Sequence, residues 1–215
     1  MVRLRIRRAP GTEVLIHDVR QSTQISQRAS VRTVNTVLLL VDIQNDYFPG
    51  GRMELHHAEE AGARAADLLT HFRDSGHTVI HVRHVATKPG ATFFLPDTDG
   101  VGIHHSVSPT AGEVVITKHF PNSFRETDLQ RRLEEARVTD LVIVGMMTHM
   151  CIDSTTRAAF DAGFRCEVAG DACATREQTY GGVTIGADAV HSAFLAALSG
   201  TFARVGSTDE ILSRH

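Results

Sequence analysis

Thr36-Val37-Leu38-Leu39-Leu40-Val41-Asp42 is the stretch whose reading decides the fold. It is short, uncharged and rich in β-branched residues, and it ends abruptly on an acid. A run of this kind reads as a strand covered on both faces, as in a parallel sheet. Similar runs recur at 78–82, 114–117, 141–144, 166–169 and 202–205. Helical patterns lie between them. Residues 58–72 carry apolar residues or Ala at helical spacing and are followed by Ser75-Gly76 as a stop. A short charged helix is predicted over 128–136, another over 151–162 with Gly163 just past its end, and a fourth over 187–198. Strands alternating with helices imply βαβ units, right-handed crossovers and helices on both faces of the sheet.

Composition narrows the class. The chain has 215 residues, formal net charge −3, 42% hydrophobic and 22% charged residues. That length suits one α/β domain able to bury roughly 70% of its unfolded surface. The mild negative charge gives no nucleic-acid footprint. No stretch approaches the roughly 18 apolar residues of a membrane span. The expected partner is therefore a small molecule rather than nucleic acid or a membrane. The cysteines are Cys151, Cys166 and Cys173, with no Cys-x-x-Cys pair. That argues against a disulfide framework or a zinc ribbon and suits a reducing cytoplasm.

Two segments stand apart. Residues 1–33 form a basic extension, with Arg3, Arg5, Arg7, Arg8, Arg20, Arg28 and Arg32 against Glu13 and Asp18. It lacks the apolar centre of a secretory signal. A transit peptide, an exchangeable arm, a partner-contacting extension and an early start codon all suit this composition. Val14-Leu15-Ile16 within it suits a short edge strand. The α/β domain is then 34–215. Residues 87–110, holding Pro89, Gly90, Pro96, Gly100, Gly102 and Pro109, fit neither helix nor strand. Loops of that length in compact enzymes are usually functional, so a pocket wall or lid is expected there.

In open parallel sheets, ligands sit beyond the carboxyl ends of the strands. Asp42 closes the first strand, Lys118 closes the third run and Cys151 follows the fourth. A helix start and a nearby ammonium both favour a thiolate, and a carboxylate within reach can take and return its proton. Singly, each residue has an ordinary reading: a small core cysteine, a turn-forming aspartate, a solvated lysine. Three at strand ends of one sheet argue for a shared site.

The residues also resemble those of a family. Residues 41–48 (Val-Asp-Ile-Gln-Asn-Asp-Tyr-Phe) resemble the first signature of isochorismatase-like cysteine hydrolases. Residues 117–124 (Thr-Lys-His-Phe-Pro-Asn-Ser-Phe) resemble their lysine motif, and 145–153 their Gly-x-x-Thr-x-x-Cys nucleophile motif. The resemblance runs from about Val37 to Phe202. It implies a three-layer α-β-α fold with a six-stranded parallel sheet and a catalytic Asp42, Lys118 and Cys151. It implies a cis peptide between Met146 and Met147, and an oxyanion hole from the N–H groups of Met147 and Cys151. It further implies a homo-oligomer, dimer or tetramer. Gln44, Tyr47, Phe48, His84, Phe124 and Met146 are the candidate substrate contacts. Phe93, Phe94 and Phe120 are further candidates for pocket walls.

The family's nicotinamidases carry a metal site built on an Asp-x-His pair. The chain lacks that pair, so no metal or cofactor is expected. His56-His57, His81 with His84, and His104-His105 read as surface or pocket-wall histidines. Relatives acting on isochorismate typically lack the cysteine, so an amide-type C–N bond is the expected target. Hydrolysis of a vinyl ether, and a redox or binding role of the same fold, are the alternatives. The redox role would need Cys173, read as a loop residue, as partner to Cys151. A nucleotide-binding module would need a Gly-rich loop after the first strand, where Asp42-Ile43-Gln44-Asn45 stands instead.

Overall fold

A computed structural model of the chain describes residues 35–215. The basic extension and its Val14-Leu15-Ile16 segment lie outside the described residues. Six strands form one parallel sheet: β1 (Thr36–Val41), β2 (Thr78–His84), β3 (Val114–Lys118), β4 (Asp140–Met146), β5 (Arg165–Ala174) and, after a small hairpin, β8 (Arg204–Gly206). Their order is β3-β2-β1-β4-β5-β8. The helices are α1 (Ala58–Asp74), α2 (Leu129–Glu135), α3 (Asp153–Asp161), α4 (Ala187–Leu198) and α5 (Thr208–Leu212).

β1 shows why the sheet has two covered faces. All six of its residues are buried. Leu38 and Leu40 join a core cluster with Ala61, Ala65, Leu68 and Phe72 of α1, while Val37, Leu39 and Val41 join another with Leu129, Leu133 and Ala159 of α2 and α3. Alternate side chains point to opposite faces, and each buried leucine contributes about 1.5–3 kcal/mol. β3 departs from the continuous apolar reading. Val115 and Thr117 are exposed while Ile116 and Lys118 are buried, because β3 is an edge strand with one face to solvent. That alternation turns Lys118 inward.

The chain runs β1, β2, β3 outward, then returns to pair β4 on the other side of β1. This reversal opens a crevice beyond the ends of β1 and β4. Val41 pairs Gly145 there. Gly145 has φ +129°, and a Cβ on it would stand 1.9 Å from the Val41 carbonyl oxygen, so only glycine lets the strands approach this closely.

β5 and β4 change register between Ile143 and Gly145. The bulge leaves Asp171 outward, where it accepts from the Thr208 N–H (2.7 Å) and hydroxyl (2.8 Å) and from Arg64 (3.2 Å). Cys173 therefore lies inside a buried strand, not on a loop. The hairpin of β6 (Gln178–Tyr180) and β7 (Val183–Ile185) was not anticipated. Its signal was present: Gly181-Gly182, both at positive φ, is a two-residue turn that glycine favours.

Glu113, just before β3, ties this edge to α1. It accepts from Arg73 (2.7 and 2.8 Å), from the Thr110 N–H (2.8 Å) and faces His81 Nε2 at 3.0 Å. Arg73, above all, holds its carboxyl at about 2, below the ordinary 4.5. A depressed carboxylate stabilises the fold above its unfolded value, and that contribution fades as pH falls from about 4.5 towards 2. Wild type should lose on the order of 3 kcal/mol across that window through this group. Urea titrations at stepped pH should show Glu113→Gln with a visibly flatter acid limb, and parallel limbs would refute it.

Candidate active site

Asp42 follows the last residue of β1 and adopts a left-handed backbone, φ +53°, which aspartate tolerates better than most residues. Its N–H bonds Val82 O at 2.9 Å, holding it against the end of β2. The carboxylate is fully buried. Lys118, equally buried, reaches it across the sheet, with Nζ 2.6 Å from Oδ2. The same ammonium faces the Phe120 carbonyl at 3.1 Å, His84 Nδ1 at 3.3 Å and Cys151 Sγ at 3.3 Å. Lys118 thus joins the acid, the thiol and the end of β2.

Cys151 is 5% exposed. It lies within a wide π turn, Thr148–Ile152, that leads into α3, rather than at the first turn of the α-helix. Such turns occur frequently at functional sites. The Met146–Met147 peptide before it is cis. Thr148 anchors the turn, its hydroxyl 3.2 Å from Ala174 O and 2.9 Å from His191 Nδ1. Ser123 fixes the segment after Lys118 to α3 through Thr155 Oγ1 (2.9 Å), and Asn122 Oδ1 accepts from the Phe124 N–H.

The electrostatics differ from the sequence expectation. Burial, then Asp42, pushes the Cys151 thiol above its ordinary value, and Lys118 opposes this only in part. Burial alone would lower the Lys118 ammonium, but Asp42 and then Cys151 outweigh it and keep it charged. Burial and Asp42 thus favour the protonated thiol, beside the Lys118–Asp42 ion pair. The other cysteines are inert: burial pushes Cys166 and Cys173 up to about 12. A Cys151–Cys173 redox pair loses its premise, since Cys173 is a buried strand residue and not an accessible loop thiol.

His84 closes β2 opposite Lys118 in the ladder. Burial and then Lys118 lower it to about 4, so it is neutral at pH 7. An ammonium only donates, so Nδ1 accepts and Nε2 carries the proton. A cavity of about 370 Å³ opens over His84 and Met150, with Lys88, Phe93, His119 and Pro121 in its walls. Of the segment 87–110, residues 87–91 and Phe93 line this cavity.

The other candidate contacts separate. Tyr47 is buried against Phe93 and Phe94. Its phenol is raised by burial first, then by the charges of Cys151 and Asp42. Gln44 is committed elsewhere: its amide donates to His84 O (2.9 Å) and Val101 O (2.8 Å) and accepts from the His84 N–H (2.7 Å). It positions the end of β2 instead of facing substrate. Phe48 packs face to face on His104, centroids 3.5 Å apart, and lies over Gly62 of α1. Phe124 lies by Phe164 on the opposite face of the sheet, and Met146 is fully buried in the α1-side core. Phe48 and Met146 pack in the α1-side core, and Phe124 borders the cluster that also holds Cys151. Asp46 organises loops, accepting from the Phe94 (2.5 Å) and Arg52 (3.2 Å) N–H groups. His119 and Met150 line this cavity too and were not anticipated. Met150 and His119 each adjoin a reactive residue in sequence, and that adjacency was the available signal.

A doubly covered parallel sheet with acid, ammonium and thiol gathered at its switch point defines a hydrolase class. The chain belongs to the isochorismatase family, whose domain model matches residues 36–210. The isochorismatase family protein YddQ of Bacillus subtilis is 50% identical over 179 residues, 83% of this chain and 99% of its own. Streptothricin hydrolase of Streptomyces noursei is 32% identical over 171 residues, 80% of this chain and 66% of its own. The crystal structure of an isochorismatase hydrolase from Oleispira antarctica superposes with a TM-score of 0.81 at 50% identity, covering 84% of this chain and 97% of that one. Relatives of the chain include amidohydrolases. Among the described residues, no helix is long and apolar enough to cross a membrane.

Proposed function

We propose that the protein is a cysteine-dependent hydrolase that cleaves an amide-type C–N bond of a small molecule through a thioester. The observation that carries this reading is the Lys118 bridge between Asp42 (2.6 Å) and Cys151 (3.3 Å), with all three side chains buried. Because Cys151 rests as a thiol, attack and deprotonation belong to one step. Asp42 takes the Sγ proton as sulfur bonds the substrate carbonyl carbon, and Lys118 keeps the carboxylate in place. The carbonyl oxygen becomes an oxyanion held by the N–H groups of Met147 and Cys151, and such donors each contribute about 3–4 kcal/mol. Collapse of the tetrahedral adduct breaks the C–N bond as Asp42 returns the proton to the leaving nitrogen. A water that loses its proton to Asp42 then attacks the thioester. The acid departs and sulfur recovers the proton. His84 lines the adjacent cavity and orients the substrate there.

Intact-protein mass spectrometry tests the proposal. Wild type and Cys151→Ser are incubated with a panel of small amides, ureas and lactams and quenched early. The expected result is an acyl adduct on wild type only, whose mass identifies the acyl part. Equal hydrolysis by both proteins without an adduct would overturn it.

A further inference from the structure

A second group of chemistry-bearing residues lies apart from the triad and shares no residue with it. His56 and His57 precede α1, and Asp188 lies in the first turn of α4. We propose that His56, His57 and Asp188 form a binding site for a divalent transition-metal ion of the zinc type. The inference concerns binding alone and stands whether or not Cys151 is catalytic.

The backbone brings the two rings together. Consecutive side chains in extended chain point apart, but His57 takes the left-handed conformation, φ +58°, at the start of α1. The two imidazoles consequently lie on one side, with centroids 3.8 Å apart. His56 is held by a bridge to the end of β5, its N–H 3.1 Å from Thr175 O. Asp188 arrives from the far side of the β6–β7 hairpin. All three residues line one cavity of about 230 Å³, whose floor is Cys173, Ala174 and Thr175.

The distances suit a metal. One oxygen, Asp188 Oδ1, faces both imidazoles, 3.4 Å from His56 Nε2 and 3.9 Å from His57 Nε2. One ligand atom from each residue lies within 4.8 Å of the other two. Tetrahedral ligands held about 2.0–2.1 Å from zinc stand roughly 3.4 Å apart, so small side-chain rotations complete the geometry. Behind His57, Glu60 Oε1 faces Nδ1 at 3.5 Å. A carboxylate on the far nitrogen fixes the ring's tautomer and leaves Nε2 as a lone-pair donor toward the metal. Two imidazoles and one carboxylate favour zinc, nickel or copper over magnesium or calcium. His56 and Asp188 are 50% and 80% exposed at their side chains, so water supplies the remaining ligands. The bound ion would clasp the start of α1 to the start of α4.

Isothermal titration of the full chain with zinc chloride tests this, run in a Cys151→Ser background so that the buried thiol does not compete. One zinc per chain is expected, with a zinc-dependent rise in melting temperature. His56→Ala and Asp188→Asn should each abolish that rise and weaken binding at least tenfold. Glu60→Gln, which touches no metal, should weaken it about tenfold, and excess magnesium should not displace the zinc. Absence of zinc binding by the parent would overturn the proposal. So would unchanged affinity in His56→Ala and Asp188→Asn, which would place the ion elsewhere on the chain.

Discussion

Cys151→Ser is expected to lower turnover of a substrate hydrolysed by wild type by on the order of 10⁴-fold or more, the scale on which removing a nucleophile acts. The site has no histidine paired with the nucleophile. Its proposed base is Asp42, joined to the thiol through the Lys118 ammonium. The thiol itself is held above its ordinary value by burial and by Asp42, and a serine hydroxyl is harder still to activate. The substitution is nearly isosteric at a position 5% exposed, and the fold should lose no more than about 1 kcal/mol. Measuring kcat/KM and the urea midpoint on the same preparations separates lost chemistry from lost structure. A stable serine variant within about tenfold of wild type, roughly 1.4 kcal/mol of barrier, would remove Cys151 from the mechanism.

The second large effect is on stability. Lys118 and Asp42 form an ion pair with both side chains fully buried. Removing one partner of such a pair strands the other charge and costs about 3–5 kcal/mol, whereas replacing both can be nearly neutral. Lys118→Met should therefore unfold at much lower urea than wild type, and Asp42→Asn should also be destabilised. The double variant Lys118→Met/Asp42→Asn should recover most of the loss while remaining inactive. Comparing the singles and the double in one cycle gives the coupling directly. If Lys118→Met matched wild type in stability, the pair would be solvated in solution and its burial would be wrong. Recovery by the double variant without activity would separate the structural role of the pair from its chemical one.

Much of this was legible because it is local. Strands β1 to β5 announce themselves as short apolar runs, and α4 appears at 187–198 with the bounds its periodicity predicts, since a stripe of side chains every three to four residues needs no tertiary information. The juxtaposition of Asp42, Lys118 and Cys151 was also legible, because a strand end is a sequence position and motif spacing follows the chain. The hairpin at 178–185 was missed although Gly181-Gly182 marked its turn: strands of three residues are too short to show alternation.

What the sequence by itself determined is therefore the class of fold, the family to which the chain belongs, and the candidate set of Asp42, Lys118 and Cys151. Only the tertiary structure decided which neighbours those motifs serve. Gln44 and Phe48 sit in the same signature as Asp42, yet one clamps backbone and the other packs on α1. Their directions depend on a left-handed residue and on strands far along the chain. The resting protonation of Cys151 needed burial and the Asp42 contact, neither of which is written in residue order. His56, His57 and Asp188 became one cluster only when a turn reversed adjacent rings and a distant helix docked beside them. Local periodicity sets where elements lie; long-range packing and desolvation set what each side chain faces, and hence what it can do.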